Sequence, residues 1–573
     1  MIHEIVSQGP AAPGSRHAGH TLATVQHGER FIRHLASTTN LLISGATILL
    51  RGNGPLAHYL LPTLRAMGAH VYSNSSLARE RVPQGALRYL IDTGESSSLT
   101  GPENLPDIAP NTLIVDAGAL HPGIDLEGFD TASVNSGLVP DSPRSGITRY
   151  RLGQKDVFVV PRHGSQSELL NTSAMLLSDF HGVHSSPVSA AAGKSRIEWA
   201  ARFMPLTRLF CEKLAAGGKI SGLRVAIRRV LDPKIAVLAL NLARSGAHVT
   251  VLCTAPETDD DLAAALTDAG VTVYAHSGNT PEQDREASLT LLEQRPQLII
   301  DSDSHLIRLA HSELPHVLDT VLGATDDAAD GLQSLRFPVI TTEGSGYKKL
   351  FDKGYGRGQS TVFTVLNLLS GLHSTPLTAT RVVVIGYGAV GRGIARQVSA
   401  LGGKVTVCET NPVRAAEATF DGYPVAPLTQ TVAQAAIIIS ATGMAHSVTL
   451  DALSAALDGA VLAVAGGAPQ EIAIDAALQA GATLSSVSKD ISALNLRNGP
   501  TLALLAQGHA ISDTAGEGDP IEIADLSCGF QLSALNQLLS DPSPEPGLQS
   551  LTEEEDSAVV GAYLSSRGLS IDS

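Results

Sequence analysis

The chain contains few cysteines and few aromatic residues. Among its 573 residues are 4 cysteines and 1 tryptophan, and aromatic side chains make up 4%. No apolar run approaches the roughly 18 residues of a membrane-crossing helix, and no signal-peptide pattern opens the chain. The cysteines lie far apart, which excludes a disulfide framework and a clustered zinc site; they are Cys211, Cys253, Cys408 and Cys528. We therefore expect a cytoplasmic protein that holds no metal.

Positive charge is also scarce. The chain carries 40 lysines and arginines against 56 aspartates and glutamates, a net charge of −16. A nucleic-acid backbone or an anionic membrane would be repelled rather than attracted. We predict that the partner is a small molecule, and neither nucleic acid nor a membrane.

What the chain has instead is a long alternation of short β-branched runs and helical stretches. Such runs include "RVAI", "QLIIDS", "RVVVIG" and "AAIIISATG". This alternation is typical of α/β domains with parallel sheets. At this length we predict several doubly wound α/β domains.

An internal repeat runs through the first two thirds of the chain. Residues 41–75 match residues 218–252, and later segments match at offsets of 177–185 residues until the offset jumps to 193 at Gln166 and Gln359. The residues gained there form the charged, glycine-rich segment "GYKKLFDKGYGRGQST" at 346–361, which has no clear helical or strand period and is predicted to be a loop. We interpret the repeat as domain duplication; the alternative is that α/β units simply look alike.

The strongest motif lies at residues 381–409. A buried strand leads into a Gly-x-Gly-x-x-Gly turn, and a helix and a second strand follow. The glycines permit a tight turn and close approach to a pyrophosphate, which the helix N-terminus stabilises. The acid at the end of the second strand binds ribose hydroxyls and repels a 2′-phosphate, so NAD is favoured over NADP. The predicted cofactor-binding residues are Gly386, Gly388, Ala389, Val390, Gly391 and Glu409.

A weaker version of this motif occurs near the N-terminus. Gly52 and Gly54 follow a strand, but neither a third glycine nor a downstream acid supports them. We predict that no cofactor binds there.

Several motifs together resemble the S-adenosyl-L-homocysteine hydrolase family. The cofactor loop "GYGAVGRG" is one of them. The others are "LIIDSDSHLIRLAH" at 298–311, "GATDDAADG" at 323–331, "FDKGYGRGQS" at 351–360 and the loop "SATGMAHS". The resemblance runs from about residue 192 to about residue 540. It implies a Rossmann NAD-binding domain inserted into a substrate domain, with a helix returning to the latter.

This resemblance divides the chain into six parts. The N-terminal α/β domain is interpreted as a decayed copy of the substrate domain, with a packing, oligomerisation or capping role. The parts are a loose tail at 1–27, the N-terminal domain at 28–185, the substrate domain at 190–370, the Rossmann domain at 371–518, the returning helix at 519–545 and a C-terminal tail at 546–573.

The resemblance also implies a chemistry. The family uses tightly held NAD to oxidise a nucleoside 3′-hydroxyl, eliminates the 5′ substituent, adds water and reduces the ketone again. Lys348 and Asp352 fall where the family has a lysine and its partner aspartate beside the 3′-hydroxyl. Asp327 takes the place of a glutamate near the ribose hydroxyls, and Thr442 and Gly443 belong to the family's cofactor loop.

Other positions depart from the family's pattern. Ser302 and Lys353 are expected to contact substrate but are not the family's residues, and the family's C-terminal arm with Lys and Tyr is absent. The departures are Val230 for a histidine, Lys234 for a glutamate, Ser302 for an aspartate, Ala328 and Ala329 for threonines, Lys353 for an asparagine, Arg357 for a cysteine, and Gly467 and Asp519 for histidines. His305 is the first candidate for a replacement acid or base, ahead of Asp303 and His446.

Three functions remain open at this point. The first is an NAD-dependent lyase or dehydratase on a nucleoside-like substrate, of the kind expected in specialised nucleoside antibiotic biosynthesis. The second is a true S-adenosylhomocysteine hydrolase, and the third is a catalytically inactive NAD-binding regulatory protein. For all three we expect a homo-oligomer.

Overall fold

The computed structural model divides the chain into two compact units. The first unit comprises Met1–Leu177 and Lys353–Pro520, and the second comprises Ser178–Asp352 and Ile521–Ser573. None of the described helices is long and apolar enough to cross a membrane. The residues that the structure describes are 20–73, 87–95, 99–105, 111–119, 121–137, 139–162, 188–326, 334–346, 348–370, 376–468 and 470–569.

The N-terminal domain is built on a seven-stranded sheet. Its strands run in the order β2-β1-β3-β4-β7-β6-β5, the first four parallel and the last three joined as antiparallel hairpins. The elements are α1 (Leu22–Thr39), β1 (Thr47–Arg51), α2 (Pro55–Ala66), β2 (His70–Ser73), β3 (Leu87–Asp92), β4 (Leu113–Asp116), α3 (Leu126–Asn135), β5 (Asp141–Arg144), β6 (Ile147–Leu152) and β7 (Lys155–Val160).

The second unit begins with two helices and a parallel sheet in the order β10-β9-β8-β11-β12-β13. Its first elements are α4 (Ala190–Ala201), α5 (Pro205–Ala216), β8 (Arg224–Arg228), α6 (Pro233–Arg244), β9 (His248–Leu252), α7 (Asp260–Asp268) and β10 (Thr272–Tyr274). They are followed by α8 (Pro281–Glu293), β11 (Leu298–Asp301), α9 (His305–Glu313), β12 (Leu322–Thr325) and β13 (Pro338–Thr341).

The Rossmann domain returns the chain to the first unit. Its sheet has the order β15-β14-β16-β17-β20-β19-β18. The elements are α10 (Arg357–Leu369), β14 (Arg381–Ile385), α11 (Ala389–Ala400), β15 (Lys404–Cys408), α12 (Pro412–Phe420), α13 (Leu428–Val432), β16 (Ile437–Ser440), α14 (Leu450–Ala455), β17 (Val461–Val464), α15 (Ile474–Gln479), β18 (Thr483–Ser488), β19 (Ile491–Asn495), β20 (Thr501–Leu505) and α16 (Ile511–Thr514).

The C-terminal segment completes the second unit. Helix α17 (Ile521–Ser540) packs against α5, strand β21 (Gly547–Ser550) pairs in parallel with β13, and α18 (Glu553–Ser566) packs on α17. The described part of the predicted tail at 546–573, which extends to residue 569, is therefore not a tail. They supply the edge strand and the last helix of this unit.

The strand order contradicts the interpretation of the N-terminal domain as a copy of the substrate domain. Numbered within each domain, the N-terminal and Rossmann sheets share the order 2-1-3-4-7-6-5, whereas the second unit's sheet has the order 3-2-1-4-5-6-7. The matched segments were local β-α-β units, which look alike in every doubly wound domain. The antiparallel hairpins at the end of the sheet distinguish the two topologies.

The structure also corrects the predicted N-terminal tail and the predicted loop at 346–361. Helix α1 begins at Leu22, capped by the side chain of Thr21, so the predicted tail at 1–27 includes helical residues. The segment predicted as a loop contains a helix of π type at Lys348–Gly356, which leads directly into α10. Helices of this type are rare and often mark functional sites.

Within the first unit, a buried carboxyl group links α1 to the segment before β14. Both carboxyl oxygens of Glu29 accept from the backbone N–H of Leu377, at 3.0 and 2.8 Å. Burial raises the pKa of Glu29 to about 7, against the hydrogen bond from Leu377 and the charges of Arg33 and Arg30 on the same helix. The phenol of Tyr59 on α2 is the other titratable group that interacts with Glu29, and burial raises its pKa as well.

Glu29→Gln should therefore remove a pH dependence of stability. Because the folded pKa of about 7 exceeds the ordinary value of 4.5, Glu29 contributes most stability below pH 4.5 and loses this contribution as the pH rises through 7. The loss is on the order of 3 kcal/mol. Urea unfolding at pH 5 and pH 8 should show that the free energy of unfolding of the variant, relative to that of the wild type, is higher at pH 8 than at pH 5. The exposed Glu103→Gln is the control, and an unchanged difference at both pH values would contradict the account.

Candidate active site

The turn after β14 has the geometry of a dinucleotide-binding loop. Gly386 has a φ of +89°, a conformation that favours glycine, and its N–H bonds the carbonyl of Cys408 on β15. A Cβ on Gly391 would overlap the carbonyl oxygen of Gly386. The first and third glycines are therefore required for the turn itself and for the packing of α11 against it.

The middle glycine faces open space at the start of a helix. Gly388 caps the 12-residue α11, and a Cβ built on it would meet one group, the Arg414 guanidinium at 3.7 Å. Ala389 and Val390 form the first turn of this helix and are half-buried. A helix N-terminus with a cation beside it favours a bound anion, so this loop fits the pyrophosphate of a dinucleotide.

Glu409 lies where a ribose-binding acid is expected. Its carboxylate accepts from the N–H groups of Tyr387, Thr410 and Asn411 at 2.7–2.8 Å. Partial burial opposes ionisation, but these donors and the charge of Arg414 hold the pKa of Glu409 below its ordinary value. The side chain is therefore ionised at neutral pH and suited to accept from sugar hydroxyls.

The loop after β16 is held by a buried acid that sequence analysis missed. Glu471 is fully buried and accepts from Ser440 Oγ at 2.6 Å, from the N–H and Oγ1 of Thr442, and from the N–H of Gly443 at 3.1 Å. A Cβ on Gly466 would overlap this carboxylate. Glu471 thus positions both residues predicted from the "ATG" loop.

Helix α10 packs on the cofactor helix through glycines. A Cβ on Gly358 would lie 2.7 Å from the backbone carbon of Gly393, and a Cβ on Gly393 would overlap the carbonyl oxygen of Gly354. The start of α10 is also tied down by charge, because Arg357 pairs with Asp513 and lies 3.9 Å from Asp519. Two positions that depart from the family's pattern therefore contact each other.

In the second unit, charged side chains gather at the carboxyl ends of β8, β12 and β13. The largely buried Arg229 lies 3.4 Å from Asp326 and donates to Gln531 at 2.7 Å, and Thr342 donates to Asp326 at 2.6 Å. Burial opposes the charge of Arg229, but Asp326, Cys528, Asp232 and Asp352 raise its pKa. The predicted catalytic Asp352, itself 7% exposed, is thus brought close to this cluster.

A buried ion pair occupies the start of α6. The ammonium of Lys234 lies 2.9 Å from Asp232, and Lys234 is 2% exposed. Asp232 also caps the helix by accepting from the N–H groups of Lys234 and Ile235. The lysine that replaces a family glutamate therefore has its own counter-ion.

The carboxyl end of β11 carries a second titratable cluster. Arg228 pairs with Glu257 at 3.1 Å and Asp303 at 3.3 Å. Burial, and then the charge of Asp303, raises the pKa of the fully buried Asp301 well above its ordinary range. Burial and Arg228 lower the pKa of His305 at the start of α9. A histidine whose pKa is lowered, at the start of the helix that follows an aspartate whose pKa is raised, is a candidate for proton transfer.

The remaining predicted residues are placed as follows. Ser302 is partly exposed, and its N–H donates to the carbonyl of Arg228. Lys348 and Lys353 lie on the π-helix, but the side chain of Lys348 and all of Asp327 lie outside the described residues. His446 is 3.0 Å from Asp475 on the surface of the Rossmann domain, which gives it a local structural partner.

Sequence analysis did not select Arg229, Asp301, Asp326 or Glu471. A usable signal existed for the first three, because each lies at or just after the carboxyl end of a parallel strand, where ligands bind in such sheets. Glu471 had no local signal, since the groups that it binds lie 28–31 residues away.

Comparison with known proteins decides the family. The model of S-adenosyl-L-homocysteine hydrolase matches residues 185–384, and the model of that family's NAD-binding domain matches residues 370–518. Together these ranges cover more than half of the chain. The chain belongs to the S-adenosyl-L-homocysteine hydrolase family.

Individual relatives agree with this assignment. The chain is 35% identical over 394 residues to an adenosylhomocysteinase of Thermotoga maritima. This match covers 66% of this chain and 96% of that protein. It is 33% identical over 397 residues to an adenosylhomocysteinase of Pyrococcus abyssi, covering 67% and 92%. It is 32% identical over 400 residues to an S-inosyl-L-homocysteine hydrolase of Methanopyrus kandleri, covering 67% and 93%.

Membership of the S-adenosyl-L-homocysteine hydrolase family settles the cofactor. The loop at Gly386–Gly391 and Glu409 belong to the family's NAD-binding domain, and the cofactor is NAD. The family models begin at residue 185. The N-terminal domain therefore lies outside the region that the models match.

Replacing Glu409 should weaken NAD binding and its discrimination from NADP. Glu409→Gln removes a charged acceptor for ribose hydroxyls, so we expect retained NAD to fall and its Kd to rise about 10- to 100-fold. NADP should bind relatively better, because the carboxylate that repels its extra phosphate is gone. Calorimetry on stripped protein measures both. Asp451→Asn, which alters an exposed acid of the same domain, should change neither, and an unchanged NAD to NADP ratio in Glu409→Gln would contradict this role.

Proposed function

We propose that this protein is an NAD-dependent lyase or dehydratase of a nucleoside-like substrate. It oxidises a sugar hydroxyl transiently, eliminates the substituent on the carbon next to the acidified position, and releases an exocyclic alkene without adding water. Such a reaction fits specialised nucleoside biosynthesis of the antibiotic type.

The observation that carries the proposal is the environment of Asp352. This carboxylate is buried and interacts with Arg229, which also lies 3.4 Å from Asp326 at the carboxyl end of β12. Lys348 precedes Asp352 by four residues on the same π-helix. A lysine, an arginine and two acids in one region can bind sugar hydroxyls and accept a proton from one of them.

Each residue would have a separate task. The loop at Gly386–Gly391 and the carboxylate of Glu409 would hold NAD, which when bound supplies a hydride acceptor for the sugar carbon and the hydride for its re-reduction. Lys348, oriented by Asp352, would take the proton of the hydroxyl that becomes a ketone. His305 would remove the hydrogen that this ketone acidifies, and the resulting electron pair would expel the neighbouring substituent with its bonding electrons.

The omission of the hydration step rests on the replaced residues. The acid that the family carries at the start of α6 is here Lys234, buried and neutralised by Asp232. The family's aspartate after β11 is Ser302 here, a family cysteine is Arg357, and a family histidine is Asp519. A site built for particular hydrogen bonds discriminates strongly against substrates that lack the matching groups. These changes favour a different base and leaving group from those of adenosylhomocysteine.

A true hydrolase is the second candidate. The relatives that match nearly along their whole length are named as hydrolases of S-adenosyl- or S-inosyl-homocysteine. In that case water adds to the same alkene before the ketone is reduced, and the chemistry up to elimination is shared.

Product analysis separates the two. Purified holoenzyme is incubated with S-adenosylhomocysteine, S-inosylhomocysteine or 5′-substituted nucleosides in deuterated water, and products are identified by mass spectrometry. The proposal predicts deuterium at C4′ of the recovered substrate, from reversible removal of that hydrogen, and a product lighter than the hydrated nucleoside by one water. A hydrated product would favour the hydrolase, and no exchange with any nucleoside would favour the non-catalytic NAD-binding protein.

The residue assignment has its own test. Lys348→Met and Asp352→Asn should each lower C4′ exchange by about 100-fold or more, because they remove the proton acceptor or its orientation. Lys349→Met changes the neighbouring lysine on the same helix and should retain exchange. Retained exchange in Lys348→Met or Asp352→Asn would contradict the assignment.

The pH profile tests His305. Because burial and Arg228 lower the pKa of His305 below the ordinary histidine value of 6.5, the acid limb of kcat/KM should have its midpoint below that pH. His305→Gln should remove this acid limb. It should lower kcat strongly and change KM little. His316→Gln, at an exposed position in the same unit, is the control. A wild-type acid limb retained in His305→Gln would exclude His305 as the base.

A further inference from the structure

The N-terminal domain repeats the Rossmann domain in detail. Strand order is the same in both, and so are the contacts that frame the first strand. The N–H of Gly45 bonds the carbonyl of Gly68, as that of Ala379 bonds Gly402. The isolated bridge between Thr100 and Ile124 matches that between Val448 and Ile472. The likeness therefore extends beyond the general plan of an α/β domain.

The cofactor loop has a counterpart in this repeat. Gly52 has a φ of +119° where Gly386 has +89°, and Gly54 caps α2 as Gly388 caps α11. Ala57 occupies the position of the third glycine, which alanine also fills in loops of this kind. The loop thus has a dinucleotide-binding conformation although the sequence motif looks incomplete.

In the N-terminal domain this loop already holds an anion. The carboxylate of Glu95 accepts from the N–H groups of Gly54, Leu56 and Ala57 at 3.1–3.2 Å, and Thr93 donates to it at 2.8 Å. A Cβ on Gly54 would overlap Glu95. In the Rossmann domain no carboxylate among the described residues lies against the equivalent Gly388, where a Cβ would meet the Arg414 guanidinium at 3.7 Å.

The two domains also contact each other in a reciprocal way. Gly28 on α1 packs on α2 as Gly358 on α10 packs on α11, and the next residues, Glu29 and Gln359, reach across to the other domain. Glu29 accepts from the N–H of Leu377, four residues before β14. Gln359 accepts from the N–H of Ile43, four residues before β1, and donates to the carbonyl of Leu41.

A direct contact marks the centre of this arrangement. Asn367 and Ser37 each lie eight residues after Gln359 and Glu29, and Asn367 donates to Ser37 Oγ at 2.7 Å. Equivalent residues that contact each other lie on a two-fold axis. The two domains of one chain are therefore paired as the two halves of a symmetric dimer would be.

We propose that the N-terminal domain is a second dinucleotide-type domain that binds no dinucleotide and serves as the built-in partner of the NAD domain. The Glu95 carboxylate takes the place of the pyrophosphate and keeps the loop folded. The pairing face of α10 is covered from within the chain. One chain therefore binds one NAD, and it does not associate with a second chain through this face.

Anion rescue tests the role of Glu95. In the full-length holoenzyme, Glu95→Ala should lower the temperature at which the N-terminal domain unfolds by roughly 5 °C, because three N–H groups lose their acceptor. Inorganic phosphate should restore stability to the variant more than to the wild type, at ionic strength matched with chloride. The exposed Glu103→Ala is the control. A variant as stable as the wild type, a loss that phosphate does not repair, or two NAD molecules per wild-type chain would overturn the proposal.

Cross-linking tests the internal pairing. Ser37→Cys and Asn367→Cys are combined in the full chain and treated with a short bifunctional maleimide; all four native cysteines are buried. We expect a cross-link within one chain, seen as altered mobility of the monomer band that neither single variant shows. Cross-linked dimers would mean that the face binds another chain, and absence of any cross-link would mean that the domains are not paired there. Both results contradict the proposal.

Discussion

The close approach of α10 to α11 is the contact on which the cofactor half of the molecule depends. Gly358 and Gly393 allow the two backbones to touch, and a side chain at either position would push the helices apart. Helix α11 begins at the loop that fits the pyrophosphate, and α10 continues from the π-helix that carries Lys348 and Asp352. The N-terminal domain packs on the same α10 through Gln359. One pair of glycines thus sets the positions of the cofactor loop and the built-in partner domain.

The second unit is organised differently, because its largely buried charged side chains are paired with opposite charges. Arg229 with Asp326, Lys234 with Asp232, and Arg228 with Glu257 form pairs at the carboxyl edge of its sheet. Removing one member of such a pair costs more than the pair contributes, because a buried charge is left alone. Of these residues, Lys234 departs from the family's pattern, and its charge is neutralised by Asp232. Replacing either Lys234 or Asp232 alone would therefore leave a buried charge without its counter-ion.

Features encoded by a short continuous segment could be predicted from the sequence. Features that depend on contacts between residues far apart in the chain could not. The NAD loop was predictable because Gly386, Gly388, Gly391 and Glu409 stand in one strand–turn–helix–strand segment. The origin of the N-terminal domain was misread because β-α-β units resemble each other locally and the hairpin order appears only in the folded sheet. Gly52 and Gly54 looked incomplete because Glu95, which occupies their loop, lies about 40 residues away. The π-helix was read as a loop since its glycines and lysines carry no helical period.

The central claim is that this protein oxidises the sugar of a nucleoside with its bound NAD. The most direct measurement adds adenosine, S-adenosylhomocysteine, S-inosylhomocysteine and related nucleosides to the native holoenzyme and follows the near-ultraviolet absorbance of reduced nicotinamide. The account predicts a transient or stable absorbance increase with at least one nucleoside and its loss in Lys348→Met. A full complement of NAD that no nucleoside reduces would contradict the claim and favour a protein that holds NAD without using it for catalysis.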